Sequence, residues 1–317
     1  MSRAAMVLSI VLSCVCAAAA ASAPVARVQL PCESSFQALS PTGTQLAVHC
    51  KDSSLYLVDI PQGSQRSVAA ANHSVNSYVY SPDGRWLAVG FVDGSVQLIP
   101  SQEGAAAKKW QADAHRIDLL QFFPDAKRLF VGAVDSPGQV WELTETPIRQ
   151  ATLPVDFGGI NDCAVSPDGK LLVTAGDDTL IRWYDTANWQ KTREYRDFLL
   201  ETFVLKFTPN GKQLLAGGAD SRVTFFDVAT GKELRQLPPE AGSSVGAIDL
   251  LGDAQRAVTL YFDNAGDKPP HVLLWDLATA RSAPLKSESP PTCGGVVDGS
   301  LWLCTADGKT LSIARQQ

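Results

Sequence analysis

A single sequence pattern recurs seven times in this chain of 317 residues, and no other feature restricts its fold as strongly. The clearest copy is VSPDGKLLVTAGDDTLIRWYD, residues 165–185. Aligned on the residue that opens a turn, successive copies start 41 to 45 residues apart. The anchor residues are Ser40, Ser81, Phe123, Ser166, Thr208, Leu251 and Val296, the last two in weaker copies. Such a period predicts a repeat architecture in which each unit completes its core against its neighbours.

Each copy has the composition of a small antiparallel sheet. An apolar strand ends in Ser/Thr-Pro-Asp/Asn-Gly, where Pro presets the backbone of the first turn position and Gly accepts a positive φ. The segments LLVTAG and LIRWYD are typical of two further strands, and each unit has room for a fourth. We therefore predict an all-β, seven-bladed β-propeller of four-stranded antiparallel blades over residues 24–317.

The last copy indicates how the ring closes. It ends at Gln317, just after its third strand. The β-prone segment ARVQL, residues 26–30, is available as the missing outer strand. We expect this N-terminal strand to close the ring by completing the last blade, which leaves no splayed seam between the first and last blades.

Residues 1–23 have the pattern of a signal peptide. Arg3 precedes an apolar run, and small residues suited to a signal peptidase follow. The run is too short to span a bilayer, and no later segment has about 18 uninterrupted apolar residues. The alternative is a lipoprotein signal ending at Ser13, because VLSC, residues 11–14, resembles a lipobox in which Cys14 is lipidated. We expect a secreted or periplasmic protein, with a lipid-anchored envelope protein as the alternative.

Charge and motif content restrict the chemistry. The formal net charge is −6 and there is no run of Lys and Arg, which argues against a nucleic-acid partner. The chain contains no CxxCH, paired CxxC, GxSxG, P-loop or HExxH pattern, and only four His. We therefore predict no cofactor and no metal site.

An aspartate stands twelve residues after the anchor in six of the seven copies. These residues are Asp52, Asp93, Asp135, Asp178, Asp220 and Asp263; in the seventh copy Asp307 stands one place early. An Asp carboxylate can accept backbone N–H bonds in a tight turn. We predict that these aspartates cap turns, with ligand binding as the alternative.

The copies resemble the blades of WD-repeat propellers in three features: the SPDG turn, the turn aspartate Asp178, and the terminal pair Tyr184-Asp185. The terminal pair recurs as Val58-Asp59, Trp141-Glu142, Phe226-Asp227 and Trp275-Asp276. The resemblance covers nearly all of the chain after residue 23. It implies a propeller whose usual activity is multivalent protein contact.

One feature of WD repeats is missing. These repeats typically carry a Gly-His pair whose His lies about ten residues before the turn Ser and packs on the turn Asp. That place holds Ala71, Asp113 and Phe198 in three of the copies, whereas His73 and His115 stand eight residues before their anchors. We therefore expect no His-to-Asp network in this chain.

Polar residues stand five places before the anchor in copies one to four: Ser35, Asn76, Asp118 and Asn161. Because innermost strands line the central channel, these side chains are candidates for a partner-binding polar arc at one mouth of the channel. The alternative is that they are ordinary strand-start or turn-capping residues. A second candidate for recognition is the long turn at residues 263–272.

Five cysteines remain after the signal region. If Asp298-Gly299 forms a two-residue hairpin turn, Cys293 lies directly opposite Cys304, and we predict a disulfide there. Cys32 and Cys50 fall at one end of the first unit and could also meet. Cys163 has no evident partner, and buried thiols throughout are the alternative to any disulfide.

The function that these features favour is a non-catalytic protein-binding or scaffolding module with a protein or peptide partner, acting as a monomer or within a hetero-complex. The alternative is a propeller enzyme, a lactonase-like hydrolase or a redox enzyme, with an axial site that includes Asp118, Asn161 and His115. An enzyme should show a deep axial pocket with titratable groups of shifted pKa, whereas a scaffold should show a broad face with exposed apolar side chains. A structural role in an envelope complex is a third reading if Cys14 is lipidated.

Overall fold

The computed structural model describes residues 26–30, 32–69, 74–102, 104–155, 157–196, 200–251, 255–267, 270–284, 293–297, 300–307 and 310–316. The regular structure in these ranges is β-strand. In the same ranges no helix has the length and apolar character needed to cross a membrane. The predicted signal peptide, residues 1–23, and Cys14 lie outside the described residues.

Six four-stranded antiparallel sheets are each built from four consecutive strands. The first three sheets contain β2 (Ser34–Leu39), β3 (Gln45–Cys50), β4 (Leu55–Asp59), β5 (Gln65–Ala69); β6 (Val75–Tyr80), β7 (Trp86–Phe91), β8 (Ser95–Pro100), β9 (Lys108–Gln111); and β10 (Ile117–Phe122), β11 (Arg128–Ala133), β12 (Gly138–Glu142), β13 (Ile148–Leu153). The next three contain β14 (Ile160–Val165), β15 (Leu171–Gly176), β16 (Ile181–Asp185), β17 (Lys191–Tyr195); β18 (Thr202–Phe207), β19 (Gln213–Gly218), β20 (Val223–Asp227), β21 (Glu233–Leu237); and β22 (Ser243–Leu250), β23 (Arg256–Asp263), β24 (His271–Asp276), β25 (Arg281–Pro284).

The first and last strands of the described residues meet in one further four-stranded sheet. It contains β1 (Ala26–Gln29), β26 (Cys293–Val297), β27 (Ser300–Asp307) and β28 (Thr310–Gln316), in the spatial order β1-β28-β27-β26. Strand β1 runs antiparallel to β28, with Ala26 opposite Ile313 and Gln29 opposite Thr310. The N-terminal strand therefore occupies the outer position of this sheet.

The core is a series of interfaces between neighbouring sheets. The first strands of adjacent sheets lie beside one another, as β14 and β18 do, so the first strand of each sheet is the inner one. Between these two sheets Trp183 and Val173 pack with Leu214 and Phe226 in one buried cluster. Because burying a large apolar side chain contributes about 1.5–3 kcal/mol, each sheet depends on its neighbours for most of its stability.

The first turn of the second unit shows why the Ser-Pro-Asp-Gly sequence recurs. Ser81 Oγ donates to Asp83 Oδ1 at 2.6 Å, and the N–H of Trp86 donates to Ser81 Oγ at 3.0 Å. Gly84 takes a φ of +68° and closes the turn with an N–H bond to Ser81 O. A Cβ on Gly84 would lie 3.3 Å from Thr42 Cγ2, so the turns of successive sheets are also in contact.

Five of the six repeating aspartates accept a backbone N–H within their own turn. The donors are Ser54 to Asp52, Ser95 to Asp93, Leu180 to Asp178, Arg222 to Asp220 and Asp267 to Asp263. The third unit differs, because Asp135 itself takes a positive φ of +50°. There Asp113, from the preceding connection, accepts from Ser136 Oγ at 3.2 Å and from Gln139 Nε2 at 2.7 Å.

One of these aspartates also belongs to a buried ion pair. Asp178 Oδ2 lies 2.6 Å from Arg182 Nη1, and the two side chains are 1% and 4% exposed. Glu194 lies 3.4 Å from the Nε of the same guanidinium. In a low-dielectric interior each charge has lost its hydration, and its oppositely charged partner compensates for that loss. Removing one partner alone therefore leaves a buried, uncompensated charge.

A disulfide joins Cys32 to Cys50, with the Cα atoms 5.9 Å apart. It ties the segment after β1 to the end of β3, which was the looser of the two pairings considered from the sequence. Cys293 and Cys304 are directly opposite in the register of β26 and β27. Their side chains lie outside the described part of the chain, so a bond between them stays a prediction. Cys163 is buried and free.

Removing the Cys32–Cys50 bond should lower stability by about 2–3 kcal/mol, because it frees a loop with a sequence separation of 18 in the unfolded chain. The double variant Cys32→Ser/Cys50→Ser, measured by urea unfolding, tests this. Cys163→Ser is the control for loss of a thiol that forms no bond in the structure. Equal stability of the double variant and the native chain would contradict the assignment.

Arg182→Met should lower the free energy of unfolding by about 3–5 kcal/mol, because it leaves the Asp178 carboxylate buried without its cation. Arg222→Met is the matched control. Arg222 lies 3.8 Å from Asp220 and its side chain is 46% exposed, so its loss should change stability by less than about 1 kcal/mol. Urea unfolding of the two variants checks the difference, and similar losses would show that burial is not the cause.

Candidate binding face

The connections between strands fall at two ends of the sheets. At one end, which we call the upper face, lie the segments that precede the inner strands and the turns between second and third strands. Hydrogen bonds join these two kinds of connection: Lys51 N–H donates to Glu33 O, and Asp177 N–H donates to Gly159 O. The remaining connections form the lower face.

Two members of the predicted polar arc meet at the upper face. Asn76 Nδ2 donates to Asp118 Oδ1 and to the carbonyl of Ile117, each at 2.8 Å. Arg116 holds the same carboxylate with its Nε at 2.6 Å and its Nη2 at 3.0 Å. Asp118 is only 7% exposed. These bonds link the inner strands β6 and β10.

Asn161 has different partners. Its Nδ2 donates to Asp177 Oδ1 at 2.9 Å and to the carbonyl of Thr202 at 3.2 Å, and the side chain is buried. Asn76 and Asn161 thus both bond to a carbonyl of the next inner strand, which is a structural use of a strand-start residue. Ser35 lies in β2, and its side chain is not among those described. A partner-binding role for Ser35, Asn76, Asp118 and Asn161 stays a prediction.

Sequence reasoning missed an inner-strand charge cluster formed by Asp162, Lys206 and Asp249, on β14, β18 and β22. Lys206 Nζ lies 3.0 Å from Asp249 Oδ1, and this carboxylate raises the pKa of Lys206. Asp162 accepts the N–H of Leu205 at 2.7 Å, yet burial raises its pKa to about 7. The signal that could have revealed the cluster is a charged residue inside an otherwise apolar first strand.

The cluster offers limited chemistry. Beside it, burial raises the pKa of the Cys163 thiol, so the reactive thiolate is disfavoured. Among the described residues no group of three or more His, Cys, Asp or Glu side chains is placed to hold a metal ion.

His115, a candidate in the enzyme alternative, lies in a connection where its Nδ1 is 3.0 Å from both Asp113 Oδ1 and Ser136 Oγ.

The two faces differ in charge. The described connections of the upper face carry eleven carboxylates and four lysine or arginine side chains, a formal charge of −7: Glu33, Asp52, Asp93, Asp113, Asp135, Asp177, Asp178, Glu201, Asp220, Glu240 and Asp267, against Lys51, Arg116, Arg196 and Arg222. Those of the lower face carry four carboxylates and five cations, a formal charge of +1: Asp83, Asp125, Glu145 and Asp168, against Arg85, Lys127, Lys170, Lys212 and Lys232.

Exposed apolar side chains are also concentrated on the upper face. Among the described residues the large hydrophobic side chains with the greatest exposure are Val92 (48%), Ile148 (53%), Phe157 (62%), Leu200 (48%) and Leu234 (50%). Val92, Phe157 and Leu200 lie in connections of the upper face, whereas Ile148 and Leu234 lie in the outer strands β13 and β21. Exposed apolar side chains surrounded by acidic residues are typical of a protein-contact surface.

The lower face has a polar groove of about 520 Å³ between the first two sheets. Thr42, Asp59, Arg85 and Gln102 are among the residues that line it. Two carboxylates, Asp59 and Asp83, and one guanidinium, Arg85, are the charged groups of this lining, and Arg85 Nε lies 2.6 Å from Asp83 Oδ2.

The raised pKa of Asp162 predicts a pH dependence of stability. The unfolded chain releases this proton near pH 3.8, whereas the folded chain keeps it up to about pH 7. The folded state therefore binds more protons in this window, and the free energy of unfolding falls as the pH rises through it. Between about pH 5 and pH 8 the free energy of unfolding of the native chain should fall by on the order of 1–2 kcal/mol more than that of the Asp162→Asn variant.

Asp168→Asn is the control for this experiment. Hydrogen bonds from Ser166 and Lys170 lower the pKa of Asp168, so its contribution is lost only as the pH falls below the unfolded value. Its substitution should leave the slope between about pH 5 and pH 8 unchanged. Urea unfolding at several pH values measures both slopes; an unchanged slope in Asp162→Asn would contradict the assignment.

Comparisons with known proteins agree with the repeat pattern. The family model of the anaphase-promoting complex subunit 4 WD40 domain matches residues 65–125, and that of the WD domain, G-beta repeat, matches residues 149–185. The WD repeat-containing protein SL1-17 of Schistosoma mansoni is 25% identical over 151 residues, which are 47% of this chain and 50% of that protein. The uncharacterized WD repeat-containing protein sll1491 of Synechocystis sp. is 26% identical over 140 residues, 43% of this chain and 39% of that protein.

The chain thus aligns with half or less of these relatives' length. Solved structures extend the likeness of the fold to nearly the whole chain. A chain in the crystal structure of the Mitotic Checkpoint Complex superposes with a TM-score of 0.75 at 16% identity, covering 93% of this chain and 92% of that one. The β-propeller domain of Myceliophteria thermophila Cps50 (Swd1) gives a TM-score of 0.73 at 13% identity, covering 92% and 98%. Two segments of the chain thus match WD-repeat models, and nearly its whole length has the fold of a solved β-propeller.

Proposed function

We propose that the chain is an exported, seven-bladed propeller that serves as a binding scaffold for a protein or peptide partner. The observation that carries this proposal is the set of exposed apolar side chains Val92, Phe157 and Leu200 on the acidic upper face. Phe157 and Leu200 stand on neighbouring connections, where one partner could cover both side chains. Relatives described as WD repeat-containing proteins, and a similar propeller within a checkpoint complex, support a role in protein contact.

Seven blades closing one ring is part of the proposal. It is supported by the pairing of β1 with β28 and by the position of β2 beside β26. A closed ring holds the connections of one face in a fixed arrangement, so little ordering entropy is lost when a partner binds. Deleting residues 24–30 should therefore lower the thermal midpoint and make binding weaker.

Export is the other part of the proposal. The signal-like residues 1–23 support it, and so does the Cys32–Cys50 disulfide, since disulfides persist mainly in oxidising compartments. The intact mass of the protein from its source cells tests this point. Loss of the first 21 to 23 residues supports a secreted or periplasmic form, and a lipidated Cys14 supports the anchored form. A chain that retains Met1 through Ala23 would contradict export.

The binding role is tested by site-specific photo-crosslinking in the source cells. A photoreactive residue in place of Phe157 or Leu200 should give a discrete crosslink to another protein. The same residue in place of Ile148 or Leu234, which are about equally exposed on outer strands, is the matched control. Crosslinks at the control positions only would move the binding surface to the rim. No crosslink at any position, together with turnover of a small molecule, would favour the enzyme alternative.

A further inference from the structure

We infer that the upper face above the fourth and fifth sheets docks a lysine- or arginine-rich protein segment that carries an apolar residue. This inference rests on the proposed binding function and names the chemistry of the partner. The fourth and fifth sheets are those that begin with β14 and β18. We call the surface formed by Phe157, Leu200 and Glu201, with the neighbouring turn residues Asp177 and Asp220, the anchor patch.

The two apolar residues of the anchor patch stand on neighbouring connections. Phe157 precedes β14 and Leu200 precedes β18, and these inner strands lie side by side. Their exposures of 62% and 48% leave most of each side chain open to a partner. A partner side chain that inserts between them would remove apolar surface from water on both.

The backbone that carries these residues is held by the turns of the same sheets. Asp177 N–H donates to Gly159 O, and Gly159 N–H donates to Asp177 Oδ2, so the connection after Phe157 is bonded on both sides. Ala219 N–H donates to Glu201 O at 3.0 Å, which fixes the residue next to Leu200. The anchor patch therefore requires little ordering before it can bind.

Charge selects the partner. The upper face has a formal charge of −7 in its described connections, whereas the lower face has +1, so a cationic segment is attracted to the connections of the upper face more strongly than to those of the lower face. Glu201 is exposed beside Leu200, and the turn at Asp177 is acidic, whereas Asp220 has Arg222 at 3.8 Å in its own turn. An acidic segment, a nucleic acid or an anionic lipid surface would be repelled, while cationic side chains are attracted and can lay their apolar stems on Phe157 and Leu200.

A fluorescently labelled peptide of lysine, leucine and serine is the probe, and its binding to the mature full-length chain is measured by fluorescence anisotropy. Two reference peptides have glutamate in place of lysine, or serine in place of leucine. We expect binding of the lysine-leucine peptide only, weakened as NaCl is raised from about 0.05 M to about 0.5 M because salt screens the charges. Binding of the glutamate peptide with equal or higher affinity would overturn the inference.

The triple variant Phe157→Ser/Leu200→Ser/Glu201→Lys locates the site. It should weaken binding of the lysine-leucine peptide at least about tenfold, which corresponds to about 1.4 kcal/mol. The matched control is Ile148→Ser/Leu234→Ser/Glu145→Lys, which makes the same three exchanges at exposed positions away from the upper face. Because both variants have the same net charge, equal effects would mean that the peptide senses overall charge only, and the anchor patch would be rejected.

The thermal unfolding midpoints of both triple variants serve as a control. Midpoints within about 2 °C of that of the native chain show that weaker binding is not caused by unfolding. The partner identified by photo-crosslinking distinguishes the scaffold function from the cationic docking segment. A partner that binds at Phe157 but is acidic in the crosslinked segment would overturn the present inference and leave the scaffold function intact. If no peptide binds and no partner crosslinks, both fail together.

Discussion

A four-stranded sheet of this size cannot bury both of its faces, and the rest of the structure depends on that constraint. Each sheet contributes apolar side chains to two interfaces, as Trp183 and Phe226 do between the fourth and fifth sheets. The stability of one unit is therefore a property of its neighbours. The ion pair between Asp178 and Arg182 follows the same logic, because packing of the surrounding structure leaves its two side chains only 1% and 4% exposed.

This constraint also decides where function can reside. Strand residues are used by the interfaces, and many polar groups at the strand starts are used by bonds between adjacent inner strands, as in Asn76 to Ile117 and Asn161 to Thr202. The connections are left free to vary. They carry the charge difference between the two faces and the exposed side chains of Val92, Phe157 and Leu200. Exposed connections on a framework of packed sheets suit recognition.

Much of the fold was readable from particular residues. Ser81, Asp83 and Gly84 specify their turn through bonds that lie within a few residues, so a local sequence is sufficient to predict them. Asp135 differs from the other repeating aspartates in taking a positive φ itself, and Ser-Pro-Gly follows it. The Cys32–Cys50 pairing was only one of two possibilities, because choosing it requires the register of β2 on β3. The meeting of Asp162, Lys206 and Asp249 was missed, because these residues lie on the inner strands of three different sheets.

The sequence by itself determined the unit: its period, its strand order, its turns and its resemblance to WD repeats. It could do so because those features arise from contacts between residues close in the chain and from a periodic apolar pattern. Only the tertiary structure decided which side chains from different units meet and which of them are buried. Those outcomes depend on the distances between sheets whose residues are far apart in sequence, and local sequence does not specify these distances.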